Sequence, residues 1–341
     1  MRIVQVDNFQ HRRYGRTKVS TGRKIFYGFI RNNHQVQEFS DRDSAKFESL
    51  FNTHALGVAR ANKRLIETCE NFRPDLLMLG HADIIKNTTI AGIRSRLPSI
   101  KVAFRNVDPP FDQKNVAKIE RRMDVADAIF LTTGGEWLKQ FVTAKNVVSF
   151  MPNPTDPAIE VMNNAERDDF DIDLVFCGVG NRTDPRYGLV GRLHEKLPDV
   201  RFRSFGMHGE AAVWGIAYDH VLEASKMGLN LNREEGHTLY SSARISQLMG
   251  NGLLTFMSTE CGYKRFLSED EAVFFDDEDS LVRQICAFQN DDARRKAVAR
   301  AGRDFYHRHF SAKDVAQYIV ETTFGVPYSK DYIWQDEVYR S

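Results

Sequence analysis

The sequence predicts an α/β protein made of two Rossmann-like, doubly wound domains that face a central cleft. Its 341 residues exceed what a single hydrophobic core usually needs. Short apolar runs alternate with helical patterns, as expected of parallel sheets with crossover helices. This alternation is interrupted by the proline-rich segment "PNPTDP" at 152–157 and then starts again. The restart indicates a second domain of similar size.

The first domain is predicted to span residues 1–151, with helices between its strands and the longest helix at 54–72. Its strands are predicted from short apolar runs at 2–7, 35–40, 75–80, 101–106, 127–133 and 146–151. The motif "DRD" at 41–43 is similar to a metal-binding Asp-x-Asp, but it follows the second strand of a domain whose topology is wrong for that role, so a surface loop is expected.

A stiff linker is predicted at 152–165, because it contains several prolines. The second domain is then expected at 166–318, and a helical tail at 319–341 is expected to pack back on the first domain. Five further apolar runs predict the strands of the second domain, at 171–180, 200–206, 227–232, 253–256 and 271–276.

The composition excludes several classes of protein. A formal net charge of +1 argues against a nucleic-acid-binding protein. The four cysteines have no spacing typical of a metal site or a redox motif, and no apolar run reaches the ~18 residues needed to cross a bilayer. The chain enters its first strand without a charged leader, which favours a cytoplasmic protein. No metal and no tightly bound cofactor are expected.

A basic segment at 11–24 stands out against the neutral total. It is either a solvated loop, as charged runs usually are, or a contact for an anionic acceptor or for the inner face of a membrane. The sequence leaves both open. Its cationic residues are Arg12, Arg13, Arg16, Lys18, Arg23 and Lys24.

The stretch "CGVGNRTDPRYG" follows a predicted strand of the second domain. Gly178 and Gly180 would allow close backbone approach, and Arg182 and Arg186 stand where the next helix begins. Ligands of open parallel sheets bind beyond the carboxyl ends of strands, where helix N-termini favour anions. The alternative is that the glycines only make a tight turn.

A second candidate stretch is "YSSARISQLMGNGLLTF" at 240–256. Ser241 and Ser242 are expected to cap a helix and leave N–H groups free for a phosphate. Arg244 and Gln247 are three residues apart and therefore share one helix face. That face is predicted to look at a ligand, the alternative being solvent.

The order of these motifs resembles GT-B glycosyltransferases, and in particular the CgeB-like group related to spore-maturation proteins. The resemblance covers most of residues 75–310. In the first half it rests on "FRNVDPPFD" and "SFMPNPTDP". In the second half it rests on "SKMGLNLNREEGH", on Arg244 with Gln247 and the glycine turn, and on "YKRFLSEDEAVFFDDEDSLVRQI". One departure is Gln247, which stands where large retaining families place a Glu that binds the nucleotide ribose.

The resemblance implies a metal-independent transfer of a sugar from a nucleotide-sugar donor to a glycan, glycolipid or lipid-linked hydroxyl acceptor. The donor would bind the second domain, with His237 near the diphosphate or sugar, and the acceptor would bind the first. Asp108, before two prolines, is the first choice for a base, and His81 the second. Asp7 and Asn8 are further candidates on the acceptor side. A nucleotide-sugar epimerase and a non-catalytic carbohydrate-binding protein are the alternatives.

Overall fold

The structure is a computed structural model that describes residues 1–17, 21–49, 53–109 and 111–341. The chain divides into two compact units. The first is built mainly from residues up to Pro152 together with Ala312–Ser341, and the second from Asn153–Ser311. Lys18 and Pro110, which figure in the sequence predictions, lie outside the described residues.

Within the described residues, the first unit contains a seven-stranded sheet in the order β12-β6-β5-β4-β3-β1-β2. Neighbouring strands run parallel except at β12, which pairs antiparallel with β6. The strands are β1 (Arg2–Asp7), β2 (Gln35–Ser40), β3 (Leu76–Leu79), β4 (Lys101–Asn106), β5 (Ala128–Leu131), β6 (Val147–Phe150) and β12 (Val338–Tyr339). The helices are α1 (Thr21–Arg31), α2 (Asp41–Phe47), α3 (His54–Phe72), α4 (Asn87–Arg96), α5 (Gln113–Glu120) and α11 (Ala312–Phe324).

The second unit contains a parallel five-stranded sheet in the order β11-β10-β9-β7-β8, counted over the described residues. Its strands are β7 (Ile172–Cys177), β8 (Phe202–Phe205), β9 (Ser225–Asn230), β10 (Leu254–Ser258) and β11 (Val273–Phe275). Its helices are α6 (Pro185–Lys196), α7 (Ile216–Glu223), α8 (Arg244–Gly250), α9 (Glu278–Gln289) and α10 (Asp292–His309). The prediction of two doubly wound α/β domains is confirmed in its architecture.

Local chemistry explains where the helices of the second unit begin. Asp184 caps α6 by accepting from the Arg186 N–H, and Pro185 occupies the first turn, where its missing N–H costs nothing. Asp277 and Ser280 form a reciprocal capping box at the start of α9. The loops that follow the carboxyl ends of β7, β8 and β9 carry the candidate site.

The prediction of a helical tail is only partly correct. Helix α11 ends at Phe324, and the chain beyond it contains turns and then β12 rather than a helix. Trp334 is fully buried and stacks edge-on against Tyr318 of α11. The apolar side chains of "IWQDEVY" are therefore present because Trp334 is buried and Val338 pairs with Ser149 in the sheet, and not because the segment forms an amphipathic helix.

The segment predicted as a stiff linker is packed into the second unit. The Asn164 side-chain amide donates to the carbonyl oxygens of Leu222 and Ser225, 2.7 and 2.8 Å away. Thr155 forms a parallel bridge with Ser311 and is fully buried. Residues 153–165 are therefore part of the second unit and are not a free linker.

The "DRD" motif is not a surface loop, and that prediction is wrong. Its residues begin α2, and the side chains of Asp41 and Asp43 are buried. Asp43 accepts from the His11 N–H at 2.8 Å and from the Ser40 hydroxyl at 2.5 Å, so it holds the loop after β1. Charge alone suggested solvent, but these partners replace the water that a carboxylate needs.

Candidate functional site

Arg244, the first residue of α8, is anchored at the carboxyl ends of β7 and β9. Its Nε–H donates to the Cys177 carbonyl oxygen at 2.7 Å, and its Nη1 donates to the Leu231 carbonyl oxygen at 3.1 Å. The guanidinium lies 4.7 Å from the centre of the Phe176 ring. Only 8% of the residue is exposed. These contacts fix the cation at the sheet edge where ligands of parallel sheets bind.

The charge of Arg244 has no carboxylate to balance it among the described residues. Its hydrogen-bond acceptors are carbonyl and amide oxygens, Asn230 Oδ1 being the third, at 3.4 Å. Burial, with a smaller contribution from the nearby Arg186, lowers the pKa of Arg244 to about 10. A buried cation that lacks a counter-charge is costly, and an anionic ligand would remove that cost.

The two glycines after β7 make room for neighbouring side chains. A Cβ at Gly178 would lie 2.7 Å from Phe176 Cζ, and one at Gly180 would lie 2.8 Å from Asp184 Oδ2. Arg186 is buried and paired with both carboxylate oxygens of Asp184, at 2.9 and 2.6 Å. Its charge is therefore already compensated, unlike that of Arg244. Arg182 is exposed on the same loop.

The predicted serine caps are largely wrong, because α8 begins later than the sequence suggested. Ala243 occupies the N-cap position, and only Ser242 acts as a partial cap, its hydroxyl accepting from the Arg244 N–H at 3.3 Å. Ser241 is buried and its hydroxyl accepts from Asn230 Nδ2 at 3.0 Å. Ser241 therefore fixes the loop before the helix and offers no surface for a phosphate.

Gln247 is half-buried and does not lie on a solvated face. Its Oε1 accepts from the Tyr218 hydroxyl at 3.0 Å. Tyr218 packs with Cys177 against one apolar cluster of the second unit, and burial raises the pKa of its phenol. His237 is partly exposed, with Nε2 3.6 Å from Glu234. The Tyr218 contact was missed by the sequence analysis because α7 is remote in the chain.

A cavity of 260 Å³ opens beside the glycine loop, at the carboxyl ends of β7 and β8. The Tyr187 and His208 rings stack at 3.8 Å, and both residues line it. Sequence reasoning did not predict this cavity, although the glycine-rich turn "GMHG" was a usable signal. Its lining residues are Gly180, Asn181, Arg182, Tyr187, Gly206, Met207, His208, Gly209 and Glu210.

In the first unit, Asp7 and Arg105 form a buried ion pair at the carboxyl ends of β1 and β4. The other Asp7 oxygen accepts from the backbone N–H groups of Asn8 at 2.9 Å and His81 at 3.3 Å. Asp7 was predicted as an acceptor-side contact, but its carboxylate is 1% exposed and fully engaged. It holds strand ends together instead of facing a ligand.

Asp108 and His81 are both partly exposed at the same edge of the first sheet. Asp108 accepts from Lys118 Nζ at 3.0 Å. Burial and the Arg105 guanidinium lower the pKa of His81, while the carboxylates of Asp7 and Asp108 act in the opposite direction. Neutral His81 and ionised Asp108 are both chemically able to accept a proton from a hydroxyl.

Residues 182–321 match the model of the glycosyl transferase-like family. The matched range covers most of the second unit and continues into α11. The matched range includes Arg186, His237, Arg244 and Gln247, while Gly178 and Gly180 lie just before it. No curated protein gives a significant match to the chain.

Solved structures share the fold of the whole chain. HepE of Anabaena, in complex with UDP and glucose, is 12% identical over 96% of this chain and 100% of its own, with a TM-score of 0.58. Sucrose-phosphate synthase of Thermosynechococcus elongatus is 12% identical over 94% and 97%, with a TM-score of 0.58. The trehalose-6-phosphate synthase OtsA is 11% identical over 96% and 100%, with a TM-score of 0.60. The predicted GT-B fold is confirmed.

The basic segment at 11–24 contains two kinds of residue. Arg13 and Arg16 are exposed, whereas Arg12 lies 5.5 Å from the Phe47 ring centre and is partly buried. Arg23 pairs with Glu38 at 2.6 Å, and Lys24 is buried. The segment is therefore only partly the continuous cationic surface that the sequence suggested.

Neither a metal-ligand cluster nor a membrane-spanning helix is present among the residues that the structure describes. Among those residues, no group of three or more His, Cys, Asp or Glu side chains is placed to hold a metal ion. None of the helices in the same ranges combines the length and the apolar character that a membrane span requires.

Buried Asp41 gives a prediction for the pH dependence of stability. Burial raises its pKa from 3.8 to about 7. The folded chain therefore keeps a proton that the unfolded chain loses, so stability falls as pH rises from about 4 to 7. Asp41→Asn removes this loss, which amounts to at most about 4 kcal/mol. In urea unfolding, the variant should gain stability relative to wild type between pH 5 and pH 8. An unchanged difference at the two pH values would contradict the assignment.

Proposed function

We propose that this protein transfers a sugar from a nucleotide-sugar donor to a hydroxyl acceptor without a metal ion. The observation that carries the proposal is the buried, uncompensated charge of Arg244 at the ligand-binding edge of the second sheet. A nucleoside diphosphate supplies two adjacent anionic groups, and a guanidinium binds phosphate oxygens through parallel hydrogen bonds. The match of this unit to the glycosyl transferase-like family supports the same chemistry.

The donor diphosphate would lie against Arg244, with the exposed Arg182 nearby on the loop after β7. These cations would stabilise the negative charge that develops on the leaving diphosphate as the sugar bond breaks. Arg186, predicted for the same task, would act indirectly, because Asp184 already occupies its guanidinium. The structures of HepE with UDP and with UDP-glucose support a nucleotide-sugar donor for this fold.

The first unit would bind a glycan or lipid-linked acceptor and supply the base. Asp108 is our first choice, because its carboxylate follows β4 closely and is partly exposed. His81 is the alternative, since its lowered pKa keeps the imidazole neutral and able to accept a proton. Exposed Arg13 and Arg16 are candidates for contacts to an anionic acceptor or an anionic membrane surface.

Gln247 would take the place of the acidic residue that binds the nucleotide ribose in related enzymes. An amide donates to and accepts from a hydroxyl, but it lacks the stronger charge-assisted bond of a carboxylate. Gln247 Oε1 accepts from the Tyr218 hydroxyl. Membership of the CgeB-like group remains part of this proposal.

A panel of nucleotide sugars, followed by nucleotide release and by product analysis, tests the function. With at least one donor, we expect nucleoside diphosphate to be released. Release should be slow when the sugar is transferred to water and faster when a hydroxyl acceptor is present. An isomerised donor in place of transfer would identify an epimerase. Failure to bind any nucleotide sugar would leave a non-catalytic carbohydrate-binding protein and would contradict the proposal.

A further inference from the structure

The cavity beside the glycine loop of the second unit lies next to the proposed diphosphate position. Gly180 and Arg182 belong both to that loop and to the cavity wall. A volume of 260 Å³ is below the ~300–1,000 Å³ typical of pockets that hold a whole ligand. It suits one part of a ligand, such as the base of a nucleotide whose phosphates lie on the same loop.

Glu210 places a carboxylate in the wall of this cavity. Its Oε1 accepts from both Nε and Nη2 of Arg203, each at 2.8 Å, and the side chain is 37% exposed. Over the residues that the structure describes, Glu210 Oε2 has no hydrogen-bond partner. The backbone carbonyl of Glu210 accepts from the Gly206 N–H at 3.0 Å, which fixes the residue at the end of the turn.

We propose that Glu210 selects guanine, so that the donor is a GDP-sugar. This inference rests on the proposed function and adds the identity of the nucleotide. Guanine carries two adjacent donors, N1–H and the exocyclic N2 amine, which match a carboxylate whose Oε2 has no partner among the described residues and whose Oε1 is held in place by Arg203. Such a bidentate, charge-assisted pair is stronger than neutral hydrogen bonds and requires one geometry.

The other common bases fit this carboxylate less well. Uracil offers a single N–H flanked by two carbonyl oxygens, which a carboxylate repels. Adenine pairs its one amine with a ring nitrogen that can only accept. Guanine alone presents two donors side by side, so Glu210 discriminates through attraction to one base and repulsion of the others.

A second contribution, which is the same for all bases, comes from the two aromatic side chains in the cavity wall. Tyr187 and His208 stack on each other and both line the cavity, where they can pack against the face of any base. Stacking therefore adds affinity without choosing a base. The choice falls to Glu210.

Calorimetric titration of the full chain with GDP, UDP and ADP tests this inference. We expect GDP to bind at least ~10-fold more tightly than UDP or ADP, the scale of one bidentate base contact. In Glu210→Ala, GDP binding should weaken by ~10-fold, whereas UDP binding should stay the same or become tighter because the repulsion is removed. The matched control is Glu269→Ala, which removes an exposed carboxylate paired with Lys264 outside the cavity. It should leave all three affinities unchanged.

Two results would overturn the guanine assignment while leaving the proposed function intact. One is UDP or ADP binding as tightly as GDP, and the other is an equal loss of all three nucleotides in Glu210→Ala. Binding of no nucleotide by the wild-type chain would instead contradict the proposed function, and with it the assignment. Circular dichroism of each variant separates lost binding from lost folding.

Discussion

Replacing Arg244 with Ala is expected to weaken nucleoside diphosphate binding by about 2 kcal/mol or more, roughly thirty-fold. The guanidinium is buried and carries an unbalanced charge, so a bound diphosphate gains a charge-assisted contact at little further desolvation cost. Isothermal titration of wild type and variant with the same nucleotide measures the difference. Equal affinity in a folded variant would remove Arg244 from the donor site.

The stability of the Arg244→Ala variant needs its own measurement. Losing the hydrogen bonds to the Cys177 and Leu231 carbonyl oxygens lowers the stability, whereas removing an uncompensated buried charge raises it. These effects oppose each other, so we expect the thermal midpoint without nucleotide to move by only a few degrees, ~5 °C or less. Added nucleotide should raise the midpoint of the wild type and leave that of the variant nearly unchanged.

Replacing Asp108 with Asn is expected to lower turnover by about 10² or more, the usual effect of losing a general base. The amide keeps the size of the side chain but cannot accept the acceptor's proton. Nucleotide binding, assigned to the second unit, should be unaffected. Steady-state transfer and nucleotide titration, measured on the same preparation, separate the two effects.

Lys118→Met provides the matched control for Asp108. It breaks the 3.0 Å ion pair but leaves the carboxylate in place. Because the pair is partly exposed, its loss should cost at most about 1 kcal/mol of stability. We expect most of the turnover to persist in this variant. Near-normal turnover in Asp108→Asn would instead favour His81 as the base.

The sheets could be predicted from the sequence because a parallel strand buried on both faces is a continuous apolar run. "KVAFRN" coincides with β4, and "RIVQVD" coincides with β1. Helix starts were harder to place. The serines before Arg244 suggested a cap. In the structure, the Ser241 hydroxyl accepts from Asn230 within the loop that follows β9, and α8 begins only at Arg244.

Long-range partners account for most of what the sequence could not show. Asp7 and Arg105 are 98 positions apart, and no local pattern predicts that they neutralise each other. Likewise, Asp41 looked like a surface residue until its burial was known. Residue type identified Arg244 as a candidate, but only the structure shows that no carboxylate among the described residues balances it.

The most direct test of a donor site at Arg244 is a crystal structure of the protein with a bound nucleoside diphosphate. We expect phosphate oxygens within hydrogen-bonding distance of the Arg244 guanidinium, at the carboxyl ends of β7 and β9. The base should then enter the cavity lined by Tyr187 and Glu210. A nucleotide bound elsewhere, with Arg244 making only its present carbonyl contacts, would contradict a donor site at Arg244.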